Sequence, residues 1–232
     1  GTLFRTTDHA WNNTVVISDS IPGHPTGSWV TPFILHPSQP EILYAGYRNI
    51  YKTTDRGDSW SCISALPLHE YPPDSQLLCL AVSPSNPKVM YASTRYELFR
   101  TTDEWKTFTS IITGLPVDSA IITMIAVHAE NPDNLWVTFS GYHAGIKVFL
   151  SGDGGEHWTN ISGSLPNLPV NCIKFQDNAR NAIYVGTDVG VWFKNDNMPD
   201  WEYFSTGLPN VVVTDLDIQY PDGTILAATY GR

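Results

Sequence analysis

Cysteine is scarce in this chain: three in 232 residues, with no Cys-x-x-Cys pair and no His/Cys cluster. That leaves little room for a disulfide framework or a zinc site. Cys79 and Cys172 fall at the same place in a repeated unit, two units apart, where a bridge has too far to reach. They and Cys62 read as small apolar thiols. Basic residues are short as well, 13 Lys and Arg against 23 Asp and Glu, for a formal net charge of −10. A phosphate-backbone partner needs clustered cations, so nucleic acid is disfavoured. No run approaches the roughly 20 apolar residues that cross a bilayer as a helix. The apolar runs that exist are too short for ordinary helices.

What the chain does have is repetition. Its clearest copy reads Thr53-Thr54-Asp55-Arg56-Gly57-Asp58-Ser59-Trp60. Related copies are Thr6-Thr7-Asp8, Thr101-Thr102-Asp103 with Phe108, Ser151-Gly152-Asp153-Gly154-Gly155 with Trp158, and Lys194-Asn195-Asp196 with Trp201. The aspartates Asp8, Asp55, Asp103, Asp153 and Asp196 step by 47, 48, 50 and 43 residues. Two other markers keep phase. An aromatic ends one run in each unit (Tyr44, Tyr91, Trp136, Tyr184), and a Leu-Pro or Ile-Pro pair recurs at Pro22, Pro67, Pro116, Pro166 and Pro209. A period of this size means one supersecondary unit used repeatedly.

Each unit holds four short apolar runs between turn signals. In the third they are 121–128, 135–140, 146–151 and 157–162. Four strands in about 40–50 residues describe a β-propeller blade, so the expected fold is all-β, built of four-stranded antiparallel blades. The aspartate sits in the turn from third to fourth strand, where a short carboxylate accepts hydrogen bonds from its own turn. Glycine allows the left-handed backbone there. Trp60, Phe108, Trp158 and Trp201 are expected to pack over the hairpin. A residue repeated in every unit serves structure, so these aspartates read as turn staples rather than as metal or catalytic carboxylates.

The motif resembles the Asp-box, or BNR, repeat of sialidases, xyloglucanase-type glycoside hydrolases and sortilin-type ectodomains. The copies depart from it in places: Asn13 takes the usual Trp position, and Trp105 and Met198 stand where Gly is usual. The second half, with Trp158-Thr-Asn-Ile-Ser, Ile183-Tyr-Val-Gly-Thr-Asp-Val-Gly-Val and Ala227-Ala-Thr-Tyr-Gly-Arg232, resembles the closing blades of large secreted proteins exported by the type IX route in Bacteroidetes-type bacteria. That resemblance implies an extracellular or outer-surface location.

Complete blades are expected at about 29–65, 76–113, 120–163 and 170–206, with half-blades at 1–19 and 210–232. Either the halves pair and close a five-blade ring by a latch, or the chain is part of a seven- or eight-blade ring. The second is the expectation, because propellers with this motif usually carry more than five blades.

Loops from second to third strand, and those joining blades, share the face where propellers usually bind ligands. They supply Tyr47, Arg48, Arg95, Tyr96, Glu97, Tyr142, His143, Asp188, Tyr230 and Arg232, joined by Glu70, Tyr71, Asp74 and Asp118. Aromatic rings offer faces to sugars, and arginine clamps carboxylates. Arg48, Arg95 and Tyr142 are expected to line a common mouth. No metal or cofactor is expected. His36 and His128 share one repeat position and read as structural.

Two function classes follow. One is a non-catalytic module that binds glycan or protein on the cell exterior, alongside further domains or blades of the same polypeptide. The other is a xyloglucanase-like or sialidase-like glycoside hydrolase, which needs two carboxyl groups roughly 5–10 Å apart. Glu70, Asp74, Glu97, Asp118 and Asp188 are the candidates, none in a distinguishing context. The Arg-Ile-Pro motif that resemblance to a sialidase implies is missing. An assembly factor of the photosystem type is a weaker third reading, because the basic surface of such proteins is not evident here.

Overall fold

The computed structural model describes residues 1–8, 13–68, 76–177, 180–220 and 222–230. Glu70, Tyr71, Asp74 and Arg232 lie outside the described residues. The regular structure of the described residues is all strand apart from one 3-10 turn at Ser18–Ser20. It forms two compact units, Gly1–Ser110 and Ile111–Arg232.

The first unit opens with a two-stranded sheet, β1 (Phe4–Thr6) and β2 (Thr14–Val16). A four-stranded sheet follows: β3 (Phe33–Leu35), β4 (Leu43–Gly46), β5 (Ile50–Thr53) and β6 (Ser61–Cys62). The next is β7 (Cys79–Val82), β8 (Met90–Ser93), β9 (Leu98–Thr101) and β10 (Thr109–Ser110). Neighbours in sequence are neighbours in each sheet and run antiparallel, so every sheet is a meander.

The second unit repeats the plan. One sheet is β11 (Ile122–Val127), β12 (Leu135–Phe139), β13 (Val148–Ser151) and β14 (Thr159–Asn160). Another is β15 (Val170–Gln176), β16 (Ala182–Thr187), β17 (Gly190–Lys194) and β18 (Glu202–Tyr203). A two-stranded sheet, β19 (Val213–Gln219) and β20 (Thr224–Thr229), ends it.

Burial explains the order of strands. The second strand of each full sheet is covered on both faces; β8, β12 and β16 are buried throughout. Those strands therefore read as unbroken runs of Ile, Val, Tyr and Trp rather than as alternating ones. The fourth strands are two residues long and exposed, which keeps the sheet edge short. Apolar layers fill the space between sheets. Ile42, Tyr44, Ile50, Leu77, Leu80 and Trp105 form one in the first unit, and Trp136, Val170, Ile173, Phe175 and Trp201 form one in the second.

The inner strands of the second unit share an irregularity. Register shifts occur between Ile122 and Met124, Val170 and Cys172, and Val213 and Asp215. The residue set out at each bulge is polar: Thr123, Asn171 or Thr214. Bulges re-aim side chains, and two of these reach the next inner strand. Thr123 Oγ1 donates to Val170 O at 2.7 Å, and Asn171 Nδ2 donates to Val213 O at 3.2 Å.

Candidate functional site

The aspartate turns come first because they recur. After β5, Thr53 Oγ1 donates to Asp55 Oδ1 at 2.7 Å and accepts from Gly57 N at 2.8 Å. Ser59 closes the turn from the other side, its amide on Oδ1 at 2.9 Å and its hydroxyl on Oδ2 at 2.6 Å. The turn after β9 repeats this with Thr101, Asp103, Trp105 N and Thr107, and the turn after β13 with Ser151, Asp153, Gly155 N and His157. Hydrogen bonds from the Ser59 and Thr53 side chains hold the Asp55 carboxyl well below its ordinary range. The Thr107 amide and hydroxyl lower Asp103. The His157 amide and ring do the same for Asp153. Every oxygen of these carboxylates is engaged in its own turn.

Asp8 keeps the hydroxyl contact, from Thr6 at 2.7 Å, and takes the Asn13 side-chain amide at 3.1 Å. Asp196 differs from the other staples. Lys194 stands where the others have Thr or Ser, so there is no hydroxyl to clasp the carboxylate. Its Nζ donates to Met198 O at 2.7 Å instead, and Asp196 accepts from Asn181 Nδ2 at 2.7 Å. Asp200, at the end of this turn, accepts from Trp201 N at 2.8 Å and ties the turn to Ser164 N at 3.0 Å, in the segment before β15.

The aromatic that follows each turn is a tie. Trp60, Trp158 and Trp201 donate through Nε1 to the carbonyls of Ile17, Ile111 and Ile161 at 2.9, 3.0 and 2.7 Å. Phe108 has no such donor and packs edge-on against Phe99. Trp105 is buried nearby in its place, but its indole N–H has no acceptor. A serine four residues after each Trp went unread in the sequence. Ser64, Ser162 and Ser205 accept from the backbone amides of Ile50, Val148 and Val191 at 2.8, 3.1 and 2.6 Å. The constant Trp-to-Ser spacing was the available signal.

The two histidines at one repeat position stack on the aromatic of the next strand, His36 on Tyr44 and His128 on Trp136. His128 Nδ1 accepts from the amides of Glu130 and Asn131, so its proton sits on Nε2, facing Asn181 Oδ1 at 3.1 Å.

The loops from second to third strand differ in chemistry. In the first unit Tyr47 is buried in the core against Tyr51 and offers no open stacking face; burial raises its phenol pKa. Arg48 Nη2 donates to Leu68 O at 2.8 Å. Tyr96 is exposed, with Arg95 and Glu97 half-buried beside it in the chain. In the second unit Tyr142, His143, Asp118 and Tyr230 are exposed. Asp188 accepts from the bulge residue Asn171 at 3.0 Å. Beneath the Tyr142 loop lies Lys147, fully buried, with its ammonium donating to Gly141 O at 2.7 Å. Burial lowers the Lys147 pKa. Trp29, in the segment entering β3, is almost wholly in water and was not singled out from the sequence.

Among the described residues one group, Asp153, Glu156 and His157, has metal-ligating atoms close together. All three are exposed, and the Asp153 and His157 atoms already bind each other at 2.7 Å. No described helix is long and apolar enough to cross a membrane.

No protein-family model matches the sequence, and no curated protein matches it. Solved structures do resemble it. The xyloglucanase of glycoside hydrolase family 74 from Xanthomonas campestris superimposes with a TM-score of 0.67 at 15% identity, over 87% of this chain and 35% of that one. The extracellular domain of the two-component system protein BT4673 from B. thetaiotaomicron gives 0.60 at 16%, over 88% and 26%. YCF48 from Cyanidioschyzon merolae gives 0.57 at 16%, over 89% and 81%. The chain spans about a quarter to a third of the family 74 enzymes it resembles. At these identities the likeness establishes the fold, a β-propeller.

Proposed function

We propose that the chain is a non-catalytic, carbohydrate-binding propeller module of an extracellular or surface protein, with turns of the Asp-box type and further domains or blades in the same polypeptide. The observation that carries this reading is an exposed tyrosine after a second strand in each unit: Tyr96 in the first, and Tyr142 and Tyr230 in the second. Each ring left in water offers a stacking face of low entropy cost. The net charge of −10 and the lack of clustered cations favour a neutral partner over an anionic one. The carboxylates of Asp55, Asp103 and Asp153 are engaged on both oxygens by their own turns, which argues against a catalytic role there.

Likeness to xyloglucanases favours a second reading, a part of a glycoside hydrolase. One pair of experiments separates the two. Affinity electrophoresis against xyloglucan, a mixed-linkage glucan and a sialylated glycan reads binding, and reducing-end release from the same glycans reads hydrolysis. Retarded migration without release is expected, with Tyr142→Ala weakening retardation about tenfold, as for loss of about 1.4 kcal/mol. Release of reducing ends by the purified chain would establish the hydrolase.

A further inference from the structure

Lysine is almost never fully buried without a partner charge, yet Lys147 has none of its surface in water. It stands directly before Val148 in the third strand of its sheet. The other full sheets carry Asn49, Glu97 and Gly190 at this place, directly before Ile50, Leu98 and Val191. Four chemically unlike residues share the position, so the blade itself does not call for an ammonium there. Stability does not call for one either. Among the described residues the ammonium has one acceptor, Gly141 O at 2.7 Å. A buried charge so sparingly paired is less favourable than an apolar side chain of similar volume.

What the ammonium holds is one end of the loop between β12 and β13. Gly141 and Gly145 flank the exposed part of that loop, both in the left-handed backbone at φ of 99° and 72°. Neither is crowded. A Cβ on Gly141 would come no nearer than 3.5 Å to its surroundings, and one on Gly145 would meet nothing within 4 Å. Glycine serves the backbone angle here, and it leaves both hinges free to turn unless something fastens them. Two side chains do. Lys147 Nζ donates to the Gly141 carbonyl, and Asn160 Nδ2, from β14, donates to the Gly145 carbonyl at 2.7 Å. Both clasps are themselves anchored on Ser162. Its buried hydroxyl accepts from Lys147 N at 2.9 Å, and its amide donates to Asn160 Oδ1 at 2.9 Å. The Gly141 carbonyl belongs to the planar peptide that carries the Tyr142 nitrogen, so fastening it orients Tyr142. Tyr142 is the residue this loop lifts into water, 66% exposed.

We propose that Lys147 is a positioning residue for the Tyr142 site: with Asn160 it clasps the two glycine hinges and holds the tyrosine ring ready to stack on a sugar. The inference takes its ligand from the glycan-binding reading above, while the clasp stands on its own geometry. A ring on an ordered loop binds without the entropy loss of ordering it first. Stability given up at the buried ammonium returns as order at Tyr142.

The test compares Lys147→Met with wild type. Methionine keeps the length of the stem and fills the space, so the urea midpoint is expected to stay level or rise. Retardation by whichever of the three glycans binds wild type is expected to weaken about tenfold, as for Tyr142→Ala. In a Tyr142→Ala background Lys147→Met is expected to change nothing further, because the lysine acts through that ring. Nitrogen-15 order parameters of the Tyr142, His143 and Ala144 amides are expected at about 0.85 in wild type and below about 0.6 in Lys147→Met. Asn160→Asp, at an exposed position, is a second variant should the first lose its fold. It keeps the acceptor for Ser162 N, removes the donor to Gly145 O, and is expected to lower the same order parameters. Unchanged retardation in Lys147→Met, a further loss on top of Tyr142→Ala, or order parameters equal to wild type in both variants overturns the proposal. If none of the three glycans binds wild type, the glycan reading fails and the order parameters alone decide the clasp.

Discussion

At the scale of the residue, the left-handed backbone of the aspartate turns sets the tolerances. Arg56, Glu104 and Gly154 share positive φ at one position, and Gly57, Trp105 and Gly155 at the next. A Cβ on Gly155 would stand 2.6 Å from Ile111 Cδ1, and one on Gly57 2.7 Å from Ile17 Cβ. Gly155→Ala should therefore cost about 2 kcal/mol through strain and overlap together, read as a lower urea midpoint at unchanged slope. Trp105 shows how the same place can hold a large residue: its side chain is buried in the apolar layer with Ile42, Tyr44 and Leu66, against which Ile63 packs. The His157–Asp153 contact sets a pH dependence. Asp153 raises the His157 pKa, so its stabilisation is complete below about pH 6.5 and is lost as pH rises through the raised value. The urea midpoints of wild type and His157→Ala should differ at pH 5 and converge at pH 9.

At the scale of the element, the sheets are held by contacts at fixed offsets. Ser162 accepts from both Lys147 N and Val148 N at the start of β13, at 2.9 and 3.1 Å, inside the core. Ser162→Ala strands two buried amides, and a loss of about 2 kcal/mol in equilibrium unfolding is expected. The four-strand plan was legible because turn chemistry and apolar runs keep one period, and the strands fall where the runs do. The site was less legible. Loop sequence does not say which ring a core will absorb, so Tyr47 reads like Tyr142 until packing separates them. Asp196 carried the motif but lacked the hydroxyl two residues before it, and its carboxylate is bonded by Asn181 instead. The bulges left one trace in the sequence, a step of three rather than two between buried residues at Ile122 and Ile125, Val170 and Ile173, and Val213 and Leu216.

At the scale of the whole molecule, acid is the weakness. Asp55, Asp103, Asp153, Asp200, Asp217 and Glu104 all have lowered pKa values in the fold. Glu104 is lowered through bonds from Lys52 and Tyr44 at 2.6 and 2.8 Å, which outweigh its burial. Such groups stabilise the folded chain above their unfolded values and lose that contribution as pH falls through the folded ones. The carboxylates' contribution should hold level above about pH 5 and drop steeply below pH 4, with Asp55→Asn and Asp153→Asn together flattening the drop. Urea midpoints across a pH series would test this.

The indoles described above also give the chain a built-in optical readout. Trp105 sits in an apolar layer with no hydrogen-bond acceptor, the setting for blue, quencher-resistant emission, whereas Trp29 meets water on nearly all sides and emits to the red. Because Trp29 stands exposed beside Val30 at the entry to β3, anything that settles on it changes the red component and leaves the blue one as an internal standard.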